Sequence, residues 1–175
     1  MFCYMRAGRG LILVAVLVLM AGCGKSSKLA VLLPDAPDGW KAEGGANNQD
    51  LTGVGHSSTR SYVPSGNAPD LGVRRVTVQI LVADQNADPK KLQEMSIEKR
   101  GSFKEQKQVG GYRGYETVPL PSEESHSLDI VPGKGTYVEI VAYRGGAGWD
   151  KPENRQSVVA AFAARTDLNK IAATK

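Results

Sequence analysis

The stretch "RRVTVQILVAD", Arg74 to Asp84, decides the fold. Val76, Val78, Ile80 and Val82 fall on one side of an extended chain, and Arg75, Thr77 and Gln79 fall on the other. Side chains of a strand alternate between its two faces, so this pattern predicts a strand with one face against a core. The neighbouring segments extend the reading. "STRSYV" (58–63) predicts a second strand. Beyond the central strand, Asp88 and Pro89 form a helix start: a side-chain acceptor at the cap, then proline in the first turn. "PKKLQEMSIEKR" continues it, with Leu92 and Met95 on one face, Lys99 and Arg100 near the end and Gly101 to stop it.

The second half predicts two hairpins. "FKEQKQV" and "YRGYETV" flank Gly110-Gly111, and the polarity of the first on both faces places it near an edge. "HSLDIV" and "TYVEIVAYR" flank Pro132 to Gly135. In the last strand Val138, Ile140 and Ala142 share one face, and Tyr137, Val141 and Tyr143 the other. "GGAGWDKPEN" predicts a loop. A helix follows over roughly 153–164, carrying Val158, Val159 and Phe162, and "TDLNKIA" predicts a short closing helix. Upstream, "LAVLLPDAPDGWKAEG" is an extended, turning lead-in, and residues 44–58, rich in Gly, Asn and Ser, predict a loop. Links between the later strands are too short for parallel crossovers, which need about a dozen residues or more. The expectation is an α+β fold, an antiparallel sheet with helices packed on one or both faces, forming a single domain over 29–175.

Composition agrees. The chain has 175 residues, 41% hydrophobic and 23% charged, enough for one domain with a core. Twenty glycines favour turns over long helices. The only cysteines, Cys3 and Cys23, lack zinc-type spacing and supply no disulfide framework once the first residues are removed.

The compartment is encoded at the start. "MFCYMRAGRG" carries Arg6 and Arg9 and no acid, "LILVAVLVLM" is wholly apolar, and Ala21 and Gly22 precede Cys23. These are the charged, apolar and small-residue regions of an export signal. Ten residues at about 1.5 Å each reach roughly half of a ~30 Å hydrocarbon core, too short for a stable transmembrane helix. "GCGKSS" (22–27) also invites a phosphate-loop reading, but such a loop needs glycine five positions before Gly-Lys, and Leu19 stands there. Leu19, Met20, Ala21, Gly22 and Cys23 instead resemble the lipobox of bacterial lipoproteins. Met20 stands where that family usually has Leu, and is apolar and of similar size. The resemblance implies a signal peptide over 1–22 and a diacylglyceryl group on Cys23. Cleavage would fall before Cys23, with palmitate-type acyl chains anchoring a short tether over 23–28. The membrane would then be the first partner, with the domain outside the cytoplasm on the cell membrane or outer membrane. Gly24 rather than Asp after the Cys would, in that family, permit outer-membrane sorting. Losing Arg6 and Arg9 from the 22 basic residues leaves a formal charge of +2, and no basic cluster points to nucleic acid.

A second resemblance covers most of the remaining chain. "LLPDAPDGWKAEGG", "STRSYV", "VTVQI" and "VVAAFAARTDLNKIA" are similar to a scattered group of uncharacterised exported single-domain proteins, whose architecture looks like the extrinsic oxygen-evolving subunit of photosystem II. That likeness implies an α/β/α sandwich on an antiparallel sheet and no activity.

Candidate chemistry is sparse. Asp84, Asn86 and Asp88 alternate as in a calcium loop, which puts oxygens on one side of a tight turn. Pro89 and Met95, however, replace the glycine and bidentate glutamate that loop requires. His56 lies in the Gly/Ser-rich stretch. His126 lies in "SEESHSLD" with Glu123, Glu124 and Asp129 nearby, but no nucleophile elbow is present. Trp40 and Trp149 border Gly-rich loops and are either binding anchors or packing residues. The expected function is a non-catalytic binding or assembly module for a protein or small-molecule partner, with no cofactor. The alternatives are a small extracytoplasmic hydrolase using His126 with acidic neighbours, and a metal-dependent binding protein.

Overall fold

In the computed structural model the described residues are 28–66, 70–87, 104–118 and 122–174. Cys23, the signal segment and the helix expected from Asp88 to Arg100 lie outside them. Seven strands form one open antiparallel sheet: β1 (Trp40–Leu51), β2 (Gly55–Pro64), β3 (Val73–Ala83), β4 (Lys104–Val109), β5 (Tyr112–Thr117), β6 (Ser125–Gly133) and β7 (Thr136–Arg144). Their spatial order is β1-β2-β3-β7-β6-β5-β4. Two meanders, β1-β2-β3 and β4-β5-β6-β7, are thus joined edge to edge where β3 pairs with β7, from Val73↔Arg144 to Val82↔Thr136. The strand read from Arg74 to Asp84 is central, and the polar strand β4 is an edge.

The alternation of β3 has the expected consequence. Val76, Val78 and Ile80 are fully buried, opposite Ala142, Ile140 and Val138 of β7, which are also fully buried. The covering layer is α1 (Pro152–Arg165), which packs on β3, β6 and β7. Pro152 and Glu153 suit its first turn and Arg165 its last, while Val158, Val159 and Phe162 face the sheet. A 3₁₀ turn, Ala147–Asp150, precedes it inside the stretch expected to be loop. The short α2 (Leu168–Ala172) follows, its start capped by the Asp167 side chain accepting from the Lys170 N–H at 2.9 Å, and it packs on β6.

One expectation is corrected. Residues 44–58 are not a loop. β1 runs to Leu51 and β2 starts at Gly55, in register from Trp40↔Pro64 to Leu51↔Gly55 with a bulge between Glu43 and Asn47. β1 is an edge strand with most side chains exposed on both faces, so it shows neither alternation nor β-favouring side chains. Backbone pairing with β2 holds it where composition would not.

The lead-in is fastened by aromatic residues. After a 3₁₀ turn at Ala30–Leu32, the Tyr62 hydroxyl donates to the Pro34 carbonyl at 2.6 Å. Phe162 packs on Trp40 in a T-shaped arrangement at 5.4 Å and on Tyr62 at 4.8 Å between ring centroids. Desolvation raises the Tyr62 phenol above its ordinary value, outweighing the opposing charge and hydrogen bond of Arg60.

Candidate functional site

The two histidines sit in strands, in different settings. His126 is the second residue of β6 and has no exposed surface. Its Nε2 lies 3.0 Å from Glu116 Oε1 on β5, and Glu116 Oε2 lies 2.5 Å from Lys107 Nζ on β4. The His126–Glu116–Lys107 line therefore crosses three adjacent strands on the face that carries Leu128. Burial alone would raise the Glu116 carboxyl. The hydrogen bonds from His126 and Lys107, reinforced by their charges, outweigh it and hold the group below the ordinary carboxylate range. His126 Nδ1 has no hydrogen-bond partner among the described residues. Nε2, facing the ionised Glu116 carboxylate, is the donor in that bond.

None of the acidic neighbours expected for His126 is its partner. Asp129 is three residues on and therefore on the opposite face of the sheet, where it pairs with Lys104. Glu124 is largely exposed and reaches Arg144 at 3.9 Å. Glu123 offers its backbone carbonyl to Trp149 Nε1 at 2.8 Å. Glu116 escaped notice because only the β5–β6 register places it diagonally beside His126, and that register is not written in either strand alone.

His56 lies directly across from Asp50 in the β1–β2 ladder. Its Nδ1 is 2.6 Å from Asp50 Oδ1 and its Nε2 is 3.3 Å from Asp84 Oδ1, just past the end of β3. Both ring nitrogens are thus engaged by carboxylates. Of the calcium-loop candidates, Asp84 is held by His56, Asn86 is exposed and Asp88 lies outside the described residues. Among the described residues no group of three or more His, Cys, Asp or Glu side chains could hold a metal ion.

The tryptophans divide. Trp149 is completely buried, with Arg155 stacked 5.1 Å from its ring and bonded to its carbonyl, so it is not a surface anchor. It packs because Gly72 and Gly148 let the backbone come close: a Cβ on Gly72 would lie 1.8 Å from the Trp149 nitrogen. Trp40 is half-buried against Phe162.

A concave feature lies elsewhere on the domain. A cleft of about 1310 Å³ opens at the end of the sheet where the β1–β2 turn, the end of β3, the β6–β7 turn and the start of the described chain meet. Leu29, Val82 and Ala87 give it apolar wall, His56 and Asp84 stand in it 3.3 Å apart, and Lys28 and Lys134 lie at exposed positions on its lining. No sequence motif marks it, because its residues come from four separate turns and ends.

The fold and cleft define an α+β domain, a seven-stranded antiparallel open sheet with a C-terminal helix packed against it. No protein-family model, curated protein or solved structure matches the chain.

Proposed function

We propose that the chain is a lipid-anchored, extracytoplasmic binding or assembly domain without catalytic activity. The anchor reading rests on the order Arg6/Arg9, apolar run, Leu19–Cys23. Acyl chains on one residue would meet the two-signal requirement for stable membrane residence. The observation that carries the binding reading is the state of the histidines. His126 is sealed within the core, out of a substrate's reach, and His56 has a carboxylate beside each ring nitrogen, Asp50 at 2.6 Å and Asp84 at 3.3 Å, where a nucleophile or substrate would have to stand. The cleft instead offers apolar wall and cationic rim. The hydrolase alternative would require β6 to expose His126.

Anchor and activity are tested separately. Replacing Cys23 by Ala removes the thiol that takes the lipid, and the expected result is an uncut chain or one released from the membrane fraction. A processed, unlipidated chain that still sediments with membranes would overturn the anchor. Replacing both His56 and His126 by Gln in cells should leave the phenotype of the intact gene unchanged. Its loss in a double variant that still folds would favour the hydrolase. Crosslinking in native membranes would then name the partner.

A further inference from the structure

Resting on that reading, we infer that the cleft at the tether end of the sheet binds a long-chain carboxylate, with its hydrocarbon along Leu29, Val82 and Ala87 and its head at the β6–β7 turn. Size comes first. Pockets for compact ligands span roughly 300–1,000 Å³, and this one, at about 1310 Å³, has room for an extended chain. Its walls are mainly apolar, which favours hydrocarbon over a sugar or nucleotide.

Three polar groups on the same lining suit an anionic head. Thr136 lines the cleft and is fully buried, yet its Oγ1 has no hydrogen-bond partner among the described residues. A buried hydroxyl without a partner is costly, and a ligand oxygen bound there would relieve it. Lys134 stands two residues away across Gly135, and Lys28 lies on the same lining. No ion pair among the described residues engages either lysine. Asp84, the acid that would repel an anion, is held by His56. Hydroxyl donor and the two lysines together fit a carboxylate head.

Position supplies the ligand. Lys28 lines the cleft five residues after Cys23, and five extended residues span at most about 18 Å. An anchored domain therefore holds this end within reach of the bilayer surface, where long-chain carboxylates partition.

The test uses the processed, lipidated full chain in phosphatidylcholine vesicles, with a diazirine-bearing palmitic acid as probe. Labelled peptides are mapped by mass spectrometry. Label should concentrate on peptides carrying Leu29, Val82 and Ala87. Unlabelled palmitate should compete at least tenfold better than hexadecanol. Lys134→Glu, at an exposed position, and Thr136→Val, of the same shape, should each weaken labelling at least fivefold with an unchanged melting temperature. Scattered label, equal competition by the alcohol, or no loss in folded Lys134→Glu would overturn the inference. So would labelling by a diazirine phosphatidylglycerol in place of the fatty acid. The intact mass at Cys23 and vesicle retention report the anchor independently. A lipidated chain without cleft labelling overturns only this inference, and a labelled but unlipidated chain overturns only the anchor.

Discussion

Glu116 shows how much one residue can depend on its neighbours. Its carboxylate accepts from His126 Nε2 on one oxygen and from Lys107 on the other, at 6% exposure. Its folded pKa is depressed below the ordinary 4.5. The group therefore contributes stability that is fully present above the unfolded pKa and is lost as pH falls through the lower folded pKa. Glu116→Gln keeps an acceptor for His126 and removes the charge opposite Lys107. At pH 7 it should cost about 1.5–3 kcal/mol, the range for a hydrogen bond to a charged group. Denaturant midpoints of the two proteins should draw together as pH falls below the ordinary carboxylate value and through the lower folded pKa, because wild-type Glu116 is then protonated too. A gap of constant size from pH 7 to pH 3 would mean that Glu116 is not the ionised partner. Gly72 is constrained by space. Its φ is +72°, its carbonyl accepts from the Gly145 and Gly146 N–H groups at 2.7 and 3.2 Å, and a Cβ would strike the backbone at Trp149. Gly72→Ala should cost more than about 2 kcal/mol, since the left-handed conformation alone costs roughly 1–2 for a residue with a Cβ. A melting temperature within a degree or two of wild type would contradict that close approach.

At the level of elements, β3 makes the sharpest contrast between adjacent residues. Ile80 is fully buried in the core, while Gln79 is half-buried between Thr59 and Glu139 on the opposite face. Ile80→Ala should cost about 2–5 kcal/mol through lost contact and cavity. Gln79→Ala should cost no more than about 1 kcal/mol, because its amide is not sealed from water. Comparable losses in chemical denaturation would show that the second face is packed as tightly as the first. The elements legible from sequence were those with a buried face or a turn signal. β3 and β7 alternate, Gly110 and Gly111 turn the β4–β5 hairpin with φ of +57° and +85°, and α1 keeps Val158, Val159 and Phe162 inward. β1 was not legible. Its side chains bury little, so its identity resides in backbone hydrogen bonds to β2, and composition carries no record of those. His56 was misplaced in a loop for the same reason, and its pairing with Asp50 is a product of that register. The cleft was hidden more deeply, since Leu29, Val82 and Thr136 converge only after the two meanders have joined.

On the scale of the whole molecule, the joint between the meanders is the feature that sequence order conceals. β3 and β7 are 52 residues apart from Ala83 to Gly135, yet the N–H of Ala83 donates to the Gly135 carbonyl at 2.7 Å, and the ladder runs on to Val73 and Arg144. Each half-sheet alone would leave an unpaired edge and an uncovered row of valines, isoleucines and leucines. α1 bridges the joint by packing on β3, β7 and β6 together. Opening the joint must therefore remove the helix as well, which ties it to global unfolding. The two outer edges are tied to the core at fewer points, Trp40 of β1 against Phe162 of α1 and Val109 of β4 against the core. β4 is six residues long with four consecutive exposed side chains, and β1 buries little along twelve. Native-state hydrogen exchange should separate these regions. Amides paired between β3 and β7 should exchange only through global opening, with a free energy equal to that from denaturant unfolding and the same denaturant dependence. Ladder amides of β1 and β4 should exchange through local fraying, at least tenfold faster and with little denaturant dependence. Glu116→Gln should accelerate exchange in β4 and β5 more than in β3, because it loosens the Lys107 tie before it weakens the centre. If the β4 amides prove as protected as those of β3, the far meander is not a separable edge and the sheet unfolds as one unit. If the β3–β7 amides exchange by local opening, the two meanders are not joined there and the strand order itself is wrong.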